Sequence, residues 1–80
     1  MYIVTKLKEK ILNTDKIQQI IFKKIEADDF HSNTEYAIYF DFLRDCYIAY
    51  YSSEEDAKIE IEDIIQALEE NKKIFYLSNI

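Results

Sequence analysis

Two periods of hydrophobic and polar positions run along this chain, and the change from one to the other marks its elements. From about Ser53 to Asn71, the residues Ala57, Ile61, Ile64, Ile65 and Leu68 recur within one stripe at 3.6 residues per turn, which predicts an amphipathic helix. Ser52 with Glu55 and Ser53 with Asp56 both offer capping-box spacing just ahead of that stripe. Glu54, Glu55 and Asp56 then fall at the positive end of the helix dipole. Before the helix the period drops to two. Tyr36, Ile38, Phe40 and Phe42 alternate with Ala37, Tyr39 and Asp41, and Cys46, Ile48 and Tyr50 alternate with Tyr47, Ala49 and Tyr51, so a β-hairpin turning at Arg44-Asp45 is expected. Ile74 to Leu77 is a short aromatic run suited to a last strand. The first third fits either period, because Ile17, Ile20, Ile21 and Ile25 make a helical stripe about as well as Ile17, Gln19, Ile21 and Ile25 make one strand face.

There is no Gly and no Pro in the 80 residues, so boundaries rest on Asn, Asp and Ser clusters, at Asn13-Thr14-Asp15, Asp28 to Asn33, Ser52-Ser53 and Asn71-Lys72. The same absence excludes dinucleotide-binding turns, phosphate-cradling Walker loops, nucleophile elbows and EF-hand loops. Each needs backbone that turns at positive φ or approaches a ligand where a side chain would intrude. The composition is 49% hydrophobic with seven Tyr and five Phe, too apolar for a disordered tail, and the length suits one small domain. Such a domain buries only about 60–65% of the surface its unfolded chain exposes. A partner or a second copy of the chain, as in a homodimer, would cover part of the rest.

The Met1 to Lys6 start, the Lys8 to Asn13 segment with its apolar pair before Asn, the Asp-led step from Asp15 to Ile25, and Tyr50 to Lys58 (Tyr-Tyr-Ser-Ser-Glu-Glu-Asp-Ala-Lys) occur in that order along the chain. In this the chain resembles a diffuse group of small uncharacterised proteins encoded by phages and mobile elements of Gram-positive bacteria. The resemblance implies strands in the first third, and no catalytic residue travels with it. Relatives often place Gly before the Tyr-x-Ser segment, where this chain has Ile48-Ala49. With that implication the chain is expected to be α+β, a bent antiparallel sheet of five to six strands packed by one C-terminal amphipathic helix.

Candidate chemistry is sparse. His31 with Asp28 and Asp29 invites a metal or acid/base role, but a metal site needs three or four ligands held by further contacts, so a solvated loop is the plainer expectation. Cys46 on an alternating strand is expected to be a small buried hydrophobe rather than a nucleophile. A lone cysteine also suits a reducing cytosol. No apolar run approaches the roughly 20 residues that span a bilayer, and no signal-peptide core follows the start, so no membrane partner and a cytoplasmic place in the host cell are expected. No cofactor is expected, and the chain reads as non-enzymatic.

Charge changes the picture. Asp and Glu number 16 against 10 Lys and Arg, and residues 54–71 alone carry a net charge of −7 while the other 62 residues carry +1. Glu55, Asp56, Glu62 and Asp63 flank Ile59, an apolar residue within an acidic helix surface. Tyr39, Tyr47 and Tyr51 give the hairpin aromatic character on both faces, of which one helix covers only one. These eight residues are the candidate binding positions. They suit a host protein with a basic surface, steered by the carboxylates and held by Ile59 and the Tyr rings. Inhibition of a host defence or nucleic-acid-handling protein fits that surface. Direct nucleic-acid binding is not expected, since aromatic platforms for bases are bordered by basic residues and the hairpin supplies only Arg44. The alternative function is a small-ligand or nucleotide-binding module whose pocket forms between sheet and helix or at a homodimer interface.

Overall fold

A computed structural model describes residues 1–30 and 32–79. Among these residues the fold is α+β, with six strands in two three-stranded sheets and one C-terminal α-helix. The first sheet has the order β2 (Ile11–Asn13), β1 (Tyr2–Val4), β6 (Ile74–Tyr76), with β1 antiparallel to β2 and parallel to β6. The second is an antiparallel meander of β3 (Gln19–Ile25), β4 (Glu35–Asp41) and β5 (Cys46–Tyr51). Helix α1 (Glu54–Glu69) packs on this second sheet.

The chain thus departs from the single antiparallel sheet its pattern suggests, and the break has a local cause. After β2 the Asn13 carboxamide oxygen accepts from Asp15 N (3.0 Å), and Thr14 donates both its N–H (3.0 Å) and its hydroxyl (2.9 Å) to Met1 O. These bonds close a short 3-10 turn at Thr14–Lys16 that ends β2 and turns the chain toward the second sheet. The parallel β1–β6 pair arises because the segment after α1 returns to the open edge of β1, where Tyr2 N–H donates to Lys73 O (2.8 Å) and Leu77 N–H to Val4 O (3.0 Å).

One core lies between the two sheets and the helix. Ile3 and Leu12 enter it from the first sheet, Ile38, Phe40, Ala49 and Tyr51 from the second, Ala57 and Ile64 from α1, and Leu77 closes it. In the ambiguous first third the strand prevails. Ile20 and Phe22 pair with Phe40 and Ile38 on the inner face, Ile17 joins them from just before the strand, and Ile21 faces outward beside Tyr39. The expected grouping of Ile17 with Ile21 and Ile25 is therefore corrected.

A chain without glycine must place other residues at positive φ. Asn71 does so (φ 56°) where the helix ends, and its N–H donates to Leu68 O (3.1 Å) while Lys72 N–H donates to Ala67 O (3.0 Å). That pair of bonds is a Schellman stop, in which Asn is the best substitute for Gly. Leu7 (φ 65°) and Lys8 (φ 58°) do so in the β1–β2 connection. Lys8 N–H closes the turn on Thr5 O (2.9 Å), and the buried Thr5 hydroxyl bridges to Lys10 backbone N–H (3.0 Å) and C=O (3.1 Å). Leucine has no side-chain group to offset the steric cost of this region, so Leu7→Gly should stabilise the fold by about 1 kcal/mol, whereas Asn71→Ala should destabilise it by about the same amount. Urea unfolding midpoints of the two variants check both signs.

Candidate functional site

Helix α1 carries most of the candidate residues, and its start is held by side chains. Ser53 is the N-cap and accepts from Asp56 N–H (3.1 Å), as the capping-box spacing predicts. The returning arm differs: the Asp56 carboxylate accepts from the Ser52 hydroxyl (2.7 Å).

The buried face of the helix is rotated from the expected stripe. Ala57, Glu60, Ile64 and Ala67 are buried and Ile61 partly so, while Ile65 (49% exposed) and Leu68 stand half in solvent. The rotation centres on Glu60, a carboxylate only 2% exposed. Its Oε1 accepts from the Tyr51 hydroxyl (3.2 Å) and from Ser78 N–H (2.7 Å), and its Oε2 accepts from the Ser78 hydroxyl (3.0 Å). Three donors make burial of the charge tolerable, because each would otherwise be lost to water without replacement. Burial, and then the Glu60 carboxylate beside it, hold the Tyr51 phenol well above its ordinary pKa. Asn79 follows, donating Nδ2 to Tyr50 O (3.3 Å). Tyr51, Asp56, Ile59, Glu60 and Ser78 surround a cleft of about 230 Å³ beside the first turn of the helix.

The structure brings Asp56, Ile59 and Tyr51 together at this cleft, with Tyr51 in its inner wall as a buried core residue. Glu55, Glu62 and Asp63 lie exposed along the helix, and Ile59 is 47% exposed at the edge of their surface. The other two Tyr positions lie elsewhere. Tyr39 is on the outer face of the β3–β4–β5 sheet, where Lys23 Nζ sits 4.5 Å from its ring centre. Tyr47 is partly buried and leans on Phe40 with ring centres 6.2 Å apart. The aromatic positions and the helix therefore do not form one continuous surface. Glu60, Ser78 and Asn79 escaped the sequence pattern. The signal for Glu60 was its place three residues after Ala57 and four before Ile64, which sets a charged residue within the apolar stripe.

Cys46 is exposed, which corrects the expectation of a buried hydrophobe. It lies on the outward side of β5 with Ile48 and Tyr50, and opposite Asp41 in the register. Partial desolvation and the Asp41 carboxylate push its thiol pKa up, so the thiolate a nucleophile needs is disfavoured. His31 lies outside the described residues. Among those described, no three His, Cys, Asp or Glu side chains converge as a metal ion would require, and no helix is long and apolar enough to cross a membrane. No family model matches this chain, and no curated protein and no solved structure matches it either.

Removing the Glu60 carboxylate strands the buried Tyr51 hydroxyl and takes the partner from both Ser78 donors, so Glu60→Ala should cost about 2–3 kcal/mol, a large share of the roughly 4–12 kcal/mol expected for a domain of this length. Denaturant unfolding of this variant against Glu60→Gln, which keeps acceptor oxygen at the site, measures that cost. The raised Tyr51 pKa means that its contribution is fully present below pH about 10, the value of an unfolded Tyr, and is lost as pH rises beyond it. Between pH 10 and 11 the native protein should lose about 1 kcal/mol more stability than Tyr51→Phe, read from denaturation curves at each pH.

Proposed function

We propose that this chain is a non-enzymatic interaction protein whose acidic helix docks onto a protein with a basic surface. The observation that carries the proposal is the solvent side of α1. There Ile59 and Ile65, three residues either side of Glu62, stand half exposed among Glu55, Asp63 and Glu69. Among the described residues no Lys or Arg forms an ion pair with any of these four carboxylates, and Lys72 with Glu70 (3.6 Å) is the pair formed at this helix. Like charges crowded along a helix repel one another, and a cationic partner relieves that repulsion while the aliphatic groups contribute the apolar area of the contact.

The resemblance of the sequence to phage and mobile-element proteins makes a host protein in the cytosol the partner this proposal expects, with inhibition of a defence or nucleic-acid-handling activity as the outcome. At the cleft beside the helix start, two features favour docking over small-ligand binding. The cleft at Asp56 and Ile59 is about 230 Å³, below the roughly 300–1,000 Å³ of small-molecule sites, and its walls hold two carboxylates and no cation, which repels phosphate-bearing ligands.

Affinity capture on immobilised chain, washed over a salt series, tests the proposal when run beside an Ile59→Lys/Glu62→Lys variant. A basic protein retained by the native chain, released by about 0.5 M salt and absent from the variant, is the expected result. Equal retention by both chains, or retention indifferent to salt, contradicts it.

A further inference from the structure

The parallel pairing of β1 with β6 assembles a second surface, on the side of the first sheet away from the core. Ile3, Leu12 and Phe75 share one cross-strand row facing inward, which turns the neighbouring rows outward. In those rows Tyr2 lies beside Ile74, and Val4 lies between Ile11 and Tyr76. Ile11 is 67% and Tyr76 62% exposed, so this is an apolar face that the described chain leaves uncovered. Exposed lysines stand at both ends of it, Lys6 and Lys8 in the β1–β2 connection and Lys72 and Lys73 in the connection from α1 to β6. Glu9 and Glu70 are the acids in those two connections, and Glu70 pairs with Lys72 (3.6 Å).

We propose that this lysine-bordered sheet face receives the acidic helix of a second copy of the chain, head to tail. The inference rests on the docking role given to α1 and names a partner for it, since the chain itself carries the basic and apolar surface that the helix suits. Spacing supports the fit. Glu55, Glu62 and Glu69 recur every seven residues, about 10.5 Å along a helix, and the two lysine ends are separated by three or four strand residues, about 10–13 Å. A helix laid along β1 sets successive carboxylates over the two lysine ends, with Ile59 or Ile65 between them against Val4 and Tyr76. Symmetric contacts do less well. Two sheet faces stacked about a two-fold axis bring lysines to lysines, and two helices bring carboxylates to carboxylates. Only the contact between unlike faces pairs opposite charges, and such contacts extend into chains or close into rings.

Sedimentation velocity over a concentration series tests this with two chains that each lack one face: Ile59→Lys/Glu62→Lys on the helix and Ile11→Glu/Tyr76→Glu on the sheet, all at exposed positions. The native chain should grow beyond a dimer as concentration rises at low salt and return to monomer at about 0.5 M salt. Each variant alone should be monomeric, and an equimolar mixture should form a 1:1 dimer and nothing larger, because each complex then has one live helix and one live sheet face in contact. A second sheet variant, Lys6→Glu/Lys73→Glu, leaves the apolar positions intact and should behave as the first does. A native dimer that survives the helix substitutions and fails only with the sheet ones overturns the proposal in favour of face-to-face pairing. A native chain that stays monomeric throughout also overturns it, and the docking role of the helix then stands or falls on capture of a basic partner.

Discussion

Burial of the Glu60 carboxylate is the constraint on which the rest of this structure depends. The side chain comes from the helix, its Tyr51 donor from the last strand of the second sheet, and its Ser78 donors from the segment that leaves the first sheet. A single carboxylate therefore ties together three parts of the fold that share no backbone hydrogen-bond ladder. Its burial also sets the rotation of α1. With Glu60 turned inward alongside Ala57 and Ile64, the side bearing Glu55, Glu62 and Glu69 is directed to solvent, and Ile59 and Ile65 come to its two edges. The acidic face of the helix is a consequence of the clamp.

Much of the local architecture was legible in the chain because it is governed by neighbours in sequence. Ser53 with Asp56 marks the helix start, Asn71 marks its stop, and the alternation either side of Arg44-Asp45 marks the hairpin; each depends on residues within a turn or two. What sequence pattern missed depends on segments far apart. The parallel partner of β1 lies some 70 residues away at Ile74 to Tyr76, and no local rule links the two. Glu60 falls within the apolar stripe of the helix, but nothing local shows that Ser78 arrives to satisfy it there. The facing of the hairpin was also open, since Tyr47, Ala49 and Tyr51 are about as apolar as Cys46, Ile48 and Tyr50; packing turned the first set inward and left Cys46 exposed.

Charge is sorted as strongly as hydrophobicity. Lysines scattered in sequence at positions 6, 8, 72 and 73 gather at the two ends of one small sheet, while the acids concentrate on the helix that packs on the other. An 80-residue chain thus presents an acidic helix face edged by Ile59 and Ile65 and an apolar sheet face bordered by lysines.

Amide hydrogen exchange at Ser78 tests the clamp most directly. Ser78 is exposed and lies beyond β6, so without the clamp its amide would exchange at the rate of an open loop. If Glu60 organises the fold, the Ser78 N–H should exchange only through global opening, with protection matching the core amides of Ile3 and Phe40. Rapid exchange at Ser78 beside protected core amides would show that the fold stands without the clamp, and would contradict its place at the centre of this account.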